Sequence, residues 1–475
     1  MSNFRLFPFR LTGDDTLKHT VRVSIVEGAF AQVFTTLSYV GSVFISKYAL
    51  HLQATPMQLA LLAAIAQLAQ VFQLGGLIIT RRSVHRRKPT LILAGLGRMA
   101  PLFAGFLLPW AASDWAIWVF LGLMLLACGF SAMSGNIWVA WVNDLVPARI
   151  RGRFFSLRSQ FHLAVGLVTG YLCSLLVDAF TAPPDSLLGG IVHSLNAGWL
   201  FRPSNTGAAL AAVITAGAFV ALLGLVVLAR QPERTKEPDH RHVWSIITDP
   251  LRNPNFRRLL VFNLWWMLAL GVGSAYWQPF MIKTLRMTTL EITLYGTVAS
   301  LSMLVFVRQW GRFIDRYGNK TTIKIAIVLG SINPALWCFV GPGHYWLLWV
   351  EAVGSGLMWS AMGIVGTNFV LSLAPKGRAQ AYFAVYSAVS GLGMMFTTIL
   401  SGQFFPPALV VLGHPLTPEQ VLFGLTALLR LTAEIPLHWV KEPRAVPLNL
   451  ALRRVFASGL LQTRSVMNKV FRIRL

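Results

Sequence analysis

Long apolar stretches separated by short polar segments fill this chain between residues 20 and 439. A helix needs about 20 predominantly apolar residues to cross a bilayer. The pattern therefore predicts an all-α membrane protein with twelve transmembrane helices. They are expected at residues 20–49, 57–80, 90–111, 115–141, 154–181, 207–229, 259–283, 288–313, 322–341, 344–372, 380–404 and 418–439.

Basic residues are concentrated in alternate polar segments. Segments 81–89, 143–153 and 230–258 are rich in Arg and Lys, whereas the segments between them are nearly bare. Because Lys and Arg are enriched in cytoplasmic loops, we expect these three segments and both termini to be cytoplasmic. Such a multi-pass protein is expected in a plasma membrane, which is the inner membrane if the source is bacterial. Residues 182–206, which contain a Pro-Pro pair, are expected to form a loop.

The two halves of the chain resemble each other weakly. A shift of 235 residues places Gly76 on Gly311 and Arg81 on Arg316 without a gap, and a second match follows later in each half. Parallel repeats of this kind are one plan of secondary transporters. The expected organisation is an N-terminal six-helix bundle (1–229), a cytoplasmic linker (230–258), a C-terminal six-helix bundle (259–440) and a basic tail (441–475).

The C-terminal stretch 446–475 mixes apolar positions with many Arg and Lys residues. Such a pattern fits an amphipathic helix that lies on the anionic inner leaflet of the membrane. A solvated basic tail is the alternative. Either form would be cytoplasmic.

Composition narrows the class of protein further. The chain is 55% hydrophobic and 12% charged, against about 25% charged in a typical soluble protein. Its formal net charge of +24 is spread over short linkers, which argues against binding to nucleic acid. The three cysteines lie within apolar runs and have no metal-ligand spacing. We find no phosphate-binding glycine loop and no catalytic constellation, so neither an enzyme nor a cofactor is expected.

One polar segment has a recognisable pattern. Residues 311–320 read Gly-Arg-Phe-Ile-Asp-Arg-Tyr-Gly-Asn-Lys and join two apolar stretches. The segment resembles the inter-helix signature of the major facilitator superfamily. That resemblance implies two pseudo-symmetric six-helix bundles that move a solute by alternating access. It also implies that Asp315 and Arg316 are gating residues, with Asp315 against residues 150–158 in the outward-open state.

Ionisable residues inside the apolar stretches are candidates for coupling, because a charge in the membrane is costly. Glu27 is expected roughly 10 Å from the cytoplasmic face at 1.5 Å per residue. Arg98 lies at a similar depth, and Arg158 and His162 share one face of predicted helix 5 at i, i+4 spacing. We expect Glu27 to pair with one of these bases as a proton-coupling or gating carboxylate. A fixed structural ion pair, or side chains that extend to the membrane surface, are the alternatives.

The resemblance implies that helices 1, 4, 7 and 10 line a central cavity. Their polar and aromatic residues are therefore candidates for substrate binding, and Glu351 is the second buried acid among them. Some of the tryptophans could instead anchor the protein at the membrane surface. The candidates are Gln32, Asn136, Trp138, Asn263, Tyr276, Trp277, Glu351, Trp359 and Asn368.

Three other acidic or basic residues have local interpretations. Arg430 and Glu434 stand four residues apart and are expected to pair with each other. Asp178 lies near the outer end of predicted helix 5 and is expected to be in contact with water.

The first half departs from the family pattern. The acid expected after Gly76 is replaced by Thr80, and predicted helices 4 and 5 lack the arginine and proline of family drug exporters. The leading hypothesis is a monomeric secondary transporter that moves a small organic solute with protons. The alternative is a transporter-derived membrane protein that binds a lipid, pigment or protein partner without active transport.

Overall fold

The computed structural model describes residues 5–6, 9–10, 15–81, 84–194, 198–234, 243–375, 379–411, 413–442, 445–451 and 453. Most of these residues are helical. Most of the C-terminal tail, for which an amphipathic helix was considered, lies outside the described residues.

The N-terminal half contains eight described α-helices. A 3-10 helix, Ala100–Trp110, continues the fourth of them, and a short antiparallel strand pair, β1 (Arg5–Leu6) and β2 (Phe9–Arg10), precedes the first. The helices are α1 (Asp15–Leu37), α2 (Val43–His51), α3 (Pro56–Arg81), α4 (Arg87–Met99), α5 (Asp114–Leu145), α6 (Ala148–Ala179), α7 (Leu187–Ser194) and α8 (Thr206–Leu228).

The C-terminal half follows the linker, which contains α9 (Val243–Arg252). The helices of this half are interrupted by a π-helical turn, Phe280–Thr284, by a 3-10 turn, Trp337–Phe339, and by a hairpin of β3 (Leu409–Val411) and β4 (His414–Leu416). The helices are α10 (Pro254–Ser274), α11 (Trp277–Pro279), α12 (Thr289–Tyr317), α13 (Asn319–Leu336), α14 (Leu347–Leu373), α15 (Ala379–Gln403), α16 (Pro418–Leu431) and α17 (Glu434–Leu437).

The prediction of an all-α membrane protein is confirmed. Within the described residues, eleven helices are long and apolar enough to cross a membrane. The predicted first helix is present as α1 and α2, which are separated at residues 38–42, where Gly41 has a φ of 98°. Because α1 carries several charged residues, it is not among the eleven, and the count of twelve stays a prediction.

Two predicted boundaries are wrong. The segment 182–206, expected to be a loop, contains the short helix α7. Helix α1 begins at Asp15 rather than at residue 20, because its first turns are polar and an apolar count leaves them out. Glu27 is therefore twelve residues, or about 18 Å, along the axis from the start of α1, and its depth of roughly 10 Å from the cytoplasmic face stays a prediction.

Capping side chains fix where several helices begin. Thr288 forms a capping box with Glu291 at the start of α12. Asn253 accepts two backbone N–H bonds at the start of α10, where Pro254 occupies the first helical position and lacks a donor that would need a partner.

The hydrophobic core divides from one end of the bundle to the other. We call the end that carries the 230–253 segment the linker end and the opposite end the distal end. One cluster of buried residues joins both halves at the distal end and includes Tyr48, Phe120, Phe280 and Phe423. Toward the linker end, each half has a separate cluster.

Polar contacts between the halves follow the same division. Among the described residues, those that join the two halves all connect residues 41–56 or 171–178 with residues 276–297. Helices α3 and α15, and α6 and α12, form the main helix pairs between the halves. The halves are thus held together at the distal end, and two large cavities open between the helices nearer the middle.

Candidate transport site

A buried ion-pair cluster lies at mid-depth in the N-terminal half. Oε1 of Glu27 is 2.6 Å from Nη2 of Arg98, and its other carboxylate oxygen is 3.6 Å from Nη2 of Arg158. Glu27 is only 3% exposed. The structure therefore brings together three of the four residues that were expected at similar depth, and Glu27 pairs with both arginines rather than with one base. We call Glu27, Arg98 and Arg158 the triad.

Both arginines of the triad have further partners. Nη1 of Arg98 donates to the carbonyl of Ala221 at 2.7 Å, and Nε of Arg158 donates to the carbonyl of Ser24 at 3.3 Å. The guanidinium of Arg158 also lies 4.1 Å from the centre of the Trp138 ring, a cation–π arrangement. These contacts fix the two guanidinium planes relative to Glu27.

The triad faces a cavity of about 430 Å³, which we call the triad cavity. Trp138 and His162 line it as well, and within the described part of the chain neither Nε1 of Trp138 nor Nε2 of His162 has a hydrogen-bond partner. A Cβ at Gly28 would lie 2.5 Å from Nε2 of His162, so glycine is what allows that ring to approach α1.

A second cavity, of about 370 Å³, lies in the C-terminal half. The Tyr295 hydroxyl donates to Glu351 at 2.5 Å, and Nη1 of Arg430 donates to the carbonyl of Gly330 at 2.8 Å. The predicted pair of Arg430 and Glu434 is wrong, because Glu434 pairs instead with Lys324 at 2.8 Å.

Aromatic rings form much of this second cavity. Trp277 stacks on Phe423 with ring centres 3.9 Å apart, and Trp337 packs against the edge of Trp277 at 4.8 Å. Trp359 also lines the cavity and is 40% exposed. Trp277, Trp359 and Glu351 are therefore placed at a cavity, as their helices had suggested.

A buried carboxylate, that of Asp178, joins the two halves at the distal end. We call Asp178, Lys47 and Thr289 the distal plug. Asp178 accepts hydrogen bonds from the backbone N–H groups of Thr289 and Leu290, each at 2.8 Å, and from the Thr289 hydroxyl. The Lys47 ammonium lies 3.5 Å from the same carboxylate and also donates to the Thr289 hydroxyl. The expectation that Asp178 is in contact with water is wrong, since it is 5% exposed and caps α12 of the other half.

Other predicted cavity residues lie elsewhere. Tyr276 is buried, and its hydroxyl donates to the carbonyl of Pro56 across the two halves at 3.4 Å. Asn263 is also buried and donates to Ser390 at 2.7 Å. Gln32 faces Gly166 of α6 and donates to Thr36, so it does not line either large cavity.

Asn136 and Asn368 complete the set. Asn136 lines a small cavity of about 110 Å³ between α3, α5 and α15. Asn368 is half-buried on α14 and does not line this cavity or either of the two larger ones.

The polar segment 311–320 turns the chain between α12 and α13. Gly318 has a φ of 92°, a conformation that glycine adopts without strain. Asp315 and Arg316 are exposed, and the Arg316 guanidinium lies 5.5 Å from the Tyr317 ring centre. Lys320 donates to two backbone carbonyls that follow α17, those of His438 and Val440.

A family model matches this chain and agrees with its signature segment, its two halves and its mid-depth cavities. The model described as Major Facilitator Superfamily matches residues 28–398, which is most of the chain. The chain belongs to the major facilitator superfamily. This match confirms the resemblance found in the sequence, and it indicates a transporter rather than an enzyme.

Solved transporters of this superfamily share the fold. The nucleoside transporter NupG has a TM-score of 0.63 at 14% identity, over 90% of this chain and 100% of that chain. The xylose transporter XylE from E. coli, in an inward-open conformation, has a TM-score of 0.63 at 13% identity, over 91% of this chain and 98% of that chain. At such identities the likeness shows the fold alone.

One curated relative matches only part of this chain. Autophagy-related protein 22-2 of Aspergillus niger is 24% identical in an alignment of length 204 that covers 37% of this chain and 34% of that protein. The match thus spans about a third of the length of that relative.

This major facilitator protein also has a pair of carboxylates that sequence reasoning missed. Glu233 accepts from the backbone N–H groups of Arg86 and Arg87 at 2.5 and 2.7 Å, at the start of α4. Glu442 accepts from Lys320 N–H at 2.6 Å and from Asn319 N–H at 3.1 Å, at the start of α13.

A sequence signal for these two carboxylates exists. Segments 231–234 (Gln-Pro-Glu-Arg) and 441–444 (Lys-Glu-Pro-Arg) each place Glu beside Pro and before Arg, just after the last helix of a half. Each half thus caps its third predicted helix with a carboxylate from its own C-terminal end.

Proposed function

We propose that this protein is a secondary active transporter that moves a small organic solute across the membrane by alternating access, driven by protons. It acts as a monomer in a plasma membrane, with both termini in the cytoplasm. The arrangement of basic linkers supports that orientation. In it the linker end faces the cytoplasm, so the closed distal plug faces outward.

The observation that carries this proposal is the triad beside a cavity at mid-depth. A carboxylate that is 3% exposed in a membrane segment is costly unless it is paired, and Glu27 is paired with two arginines rather than one. Protonation of Glu27 would release both guanidinium groups. Such a change of partners would link a proton to the shape of the cavity, which is what proton coupling requires.

The distal plug supports the alternating-access part of the proposal. Lys47 and Asp178 belong to one half and Thr289 to the other, so their contacts can form only while the distal ends of the halves touch. Opening toward the outside would break them and close the linker end. In that outward-open state, with the linker end closed, Asp315 of the signature segment would meet the start of α6.

Purified protein in lipid vesicles tests the proposal. An imposed inward proton gradient should drive accumulation of a solute drawn from a panel of metabolites, dyes and peptides. Glu27→Gln should abolish this accumulation while exchange of the same solute down its own gradient continues. Glu434→Gln is the matched control, because that carboxylate forms a surface pair with Lys324.

Two results would contradict the proposal. Gradient-driven accumulation that survives Glu27→Gln would remove Glu27 from coupling. Solute binding without transport, with or without the gradient, would favour the alternative of a transporter-derived binding protein. The unusual first half, with Thr80 in place of an acid, is the sequence feature that favours that alternative.

A further inference from the structure

The triad cavity carries one positive charge in excess. Arg98 and Arg158 contribute two guanidinium groups and Glu27 one carboxylate, and all three line the cavity. The other titratable side chains that line it are those of Tyr39 and His162. An uncompensated charge at mid-membrane is costly, and such charges mark binding sites or ion pathways. The second cavity differs, because it is lined by one acid, Glu351, and one base, Arg430.

The guanidinium groups of Arg98 and Arg158 differ in how fully their N–H groups are bonded. Arg98 is 2.6 Å from Glu27 and donates to a backbone carbonyl, and its side chain is 10% exposed. Arg158 is farther from Glu27, at 3.6 Å, and its side chain is 17% exposed. Arg158 is therefore the arginine with bonding capacity left for a ligand.

Two ring nitrogens without hydrogen-bond partners among the described residues line the same cavity as Arg158. Trp138, whose ring stacks on the Arg158 guanidinium, is about nine-tenths buried at 9% exposure, and its Nε1–H has no acceptor among the described residues. An indole nitrogen can only donate. His162 adds a further unpartnered ring nitrogen to the same cavity. A buried donor such as the Trp138 N–H normally has an acceptor. A planar carboxylate also fits the geometry of a guanidinium group.

The rest of the cavity suits an organic body of modest size. Its volume of about 430 Å³ lies within the range of small-molecule sites. Phe34 and Tyr39 provide aromatic surface, and the amides of Gln70 and Gln73 are neutral groups able to donate and accept. None of these residues adds a charge.

We propose that the triad cavity binds a small organic monoanion and that its carboxylate takes up the free bonding capacity of Arg158. This assignment rests on the proposed transport function and names its substrate class. One excess positive charge matches one carboxylate, whereas a dianion would leave the cavity negative. The anion and Glu27 compete for the same guanidinium groups, so neutralising Glu27 strengthens anion binding.

The charge of the cavity can be measured with thiol reagents of opposite charge. Ala31 lines the cavity one helical turn from Glu27. After the three native cysteines are replaced, Ala31→Cys is treated with sulfonatoethyl and with trimethylammonioethyl methanethiosulfonate. Each rate is divided by the rate of the same reagent with a free thiol. The anionic reagent should then react about tenfold faster than the cationic one, because one unit of positive charge within about 10 Å attracts the first and repels the second.

Two substitutions should change this preference in opposite directions. Arg158→Gln should abolish it, and Glu27→Gln, which mimics the neutral carboxyl group, should increase it severalfold. Arg158→Lys keeps the charge and should keep the preference, which separates charge from folding defects. Arg257→Gln is the matched control, because that arginine is exposed on α10 and outside both cavities.

Protection identifies the ligand class. 3-Phenylpropionate should slow labelling of the Ala31→Cys protein at least several times more than its amide at the same concentration. Faster reaction with the cationic reagent, or the same direction of change for Arg158→Gln and Glu27→Gln, would overturn the assignment of an anion. Equal protection by the two probes, or by neither, would overturn the assignment of a carboxylate.

The two proposals can fail separately. Labelling is measured on the full-length protein in detergent and needs no gradient, so a cavity that prefers anions can exist in a protein that does not transport. Conversely, proton-driven uptake that depends on Glu27 would stand if the cavity proved to prefer cations.

Discussion

The distal plug gives a prediction whose size can be worked out. Asp178→Ala removes the acceptor of the two backbone N–H groups that open α12 and leaves Lys47 without its carboxylate. Loss of a helix cap costs about 0.5–2 kcal/mol. Leaving one member of a buried ion pair alone costs about 3–5 kcal/mol. In the open state both groups reach water, so these costs fall on the closed state alone.

The two costs are not additive, because the same carboxylate serves both partners. We therefore expect a net shift of about 3 kcal/mol toward the distal-open state, or roughly 100-fold in the equilibrium between the two states. Asp178→Asn keeps one acceptor oxygen and should shift it by about half as much. Asp185→Asn is the matched control, because Asp185 is exposed in the loop that follows α6.

Distances between spin labels at Asp114 and Val410 would measure the shift. Both residues are exposed at the distal end, on opposite halves. The wild-type protein should show mainly the short distance, and Asp178→Ala mainly a longer one. An unchanged distribution in Asp178→Ala, in protein that still melts cooperatively, would refute the reasoning that the plug holds the distal end closed.

Two further predictions use the same preparation. Asp315→Asn should move the label distances in the direction opposite to Asp178→Ala, because it would weaken contacts that form only when the linker end is closed; a shift in the same direction would exclude the latch. Glu442→Gln should lower stability by about 1–2 kcal/mol, seen as a lower melting temperature, because it weakens the cap on α13. Glu434→Gln, at a surface pair, should cost less than about 1 kcal/mol, and an equal loss in both variants would argue against the cap.

Helix positions and the triad could be predicted because they depend on local composition. Charged residues are few in the apolar stretches, so Glu27, Arg98 and Arg158 stood out, and their depth along three helices placed them together. The start of α1 was predicted five residues too late because its first turns are polar. Apolar counting finds the membrane-spanning part of a helix and misses the part that extends beyond it.

Contacts between distant segments could not be predicted. The burial of Asp178 depends on the start of α12, more than a hundred residues away in sequence. The expected pair of Arg430 and Glu434 failed for a related reason. An i, i+4 pair contributes only about 0.2–0.5 kcal/mol, so Lys324 and the Gly330 carbonyl, brought in by α13, compete successfully.

The direction in which a side chain points was also beyond the sequence. Trp277 and Trp359 face a cavity, whereas Asn263 packs against α15 although it lies on the same predicted cavity helix as Trp277. Which face of a membrane helix meets the cavity depends on how neighbouring helices pack. The periodicity of hydrophobic residues does not indicate which face this is when all faces of the helix are apolar.

The cap from Glu442 has a mechanical consequence. Beyond it, the backbone N–H of Val446 donates to the carbonyl of Tyr317 at 3.0 Å, and the Thr321 hydroxyl donates back to the Val446 carbonyl at 2.5 Å. A force applied to the C-terminus would therefore reach segment 311–320 before it reached the body of α16. Pulled from a membrane by that end, the protein should release this junction before α16 unfolds, and the load passes through the segment where the two halves are proposed to meet.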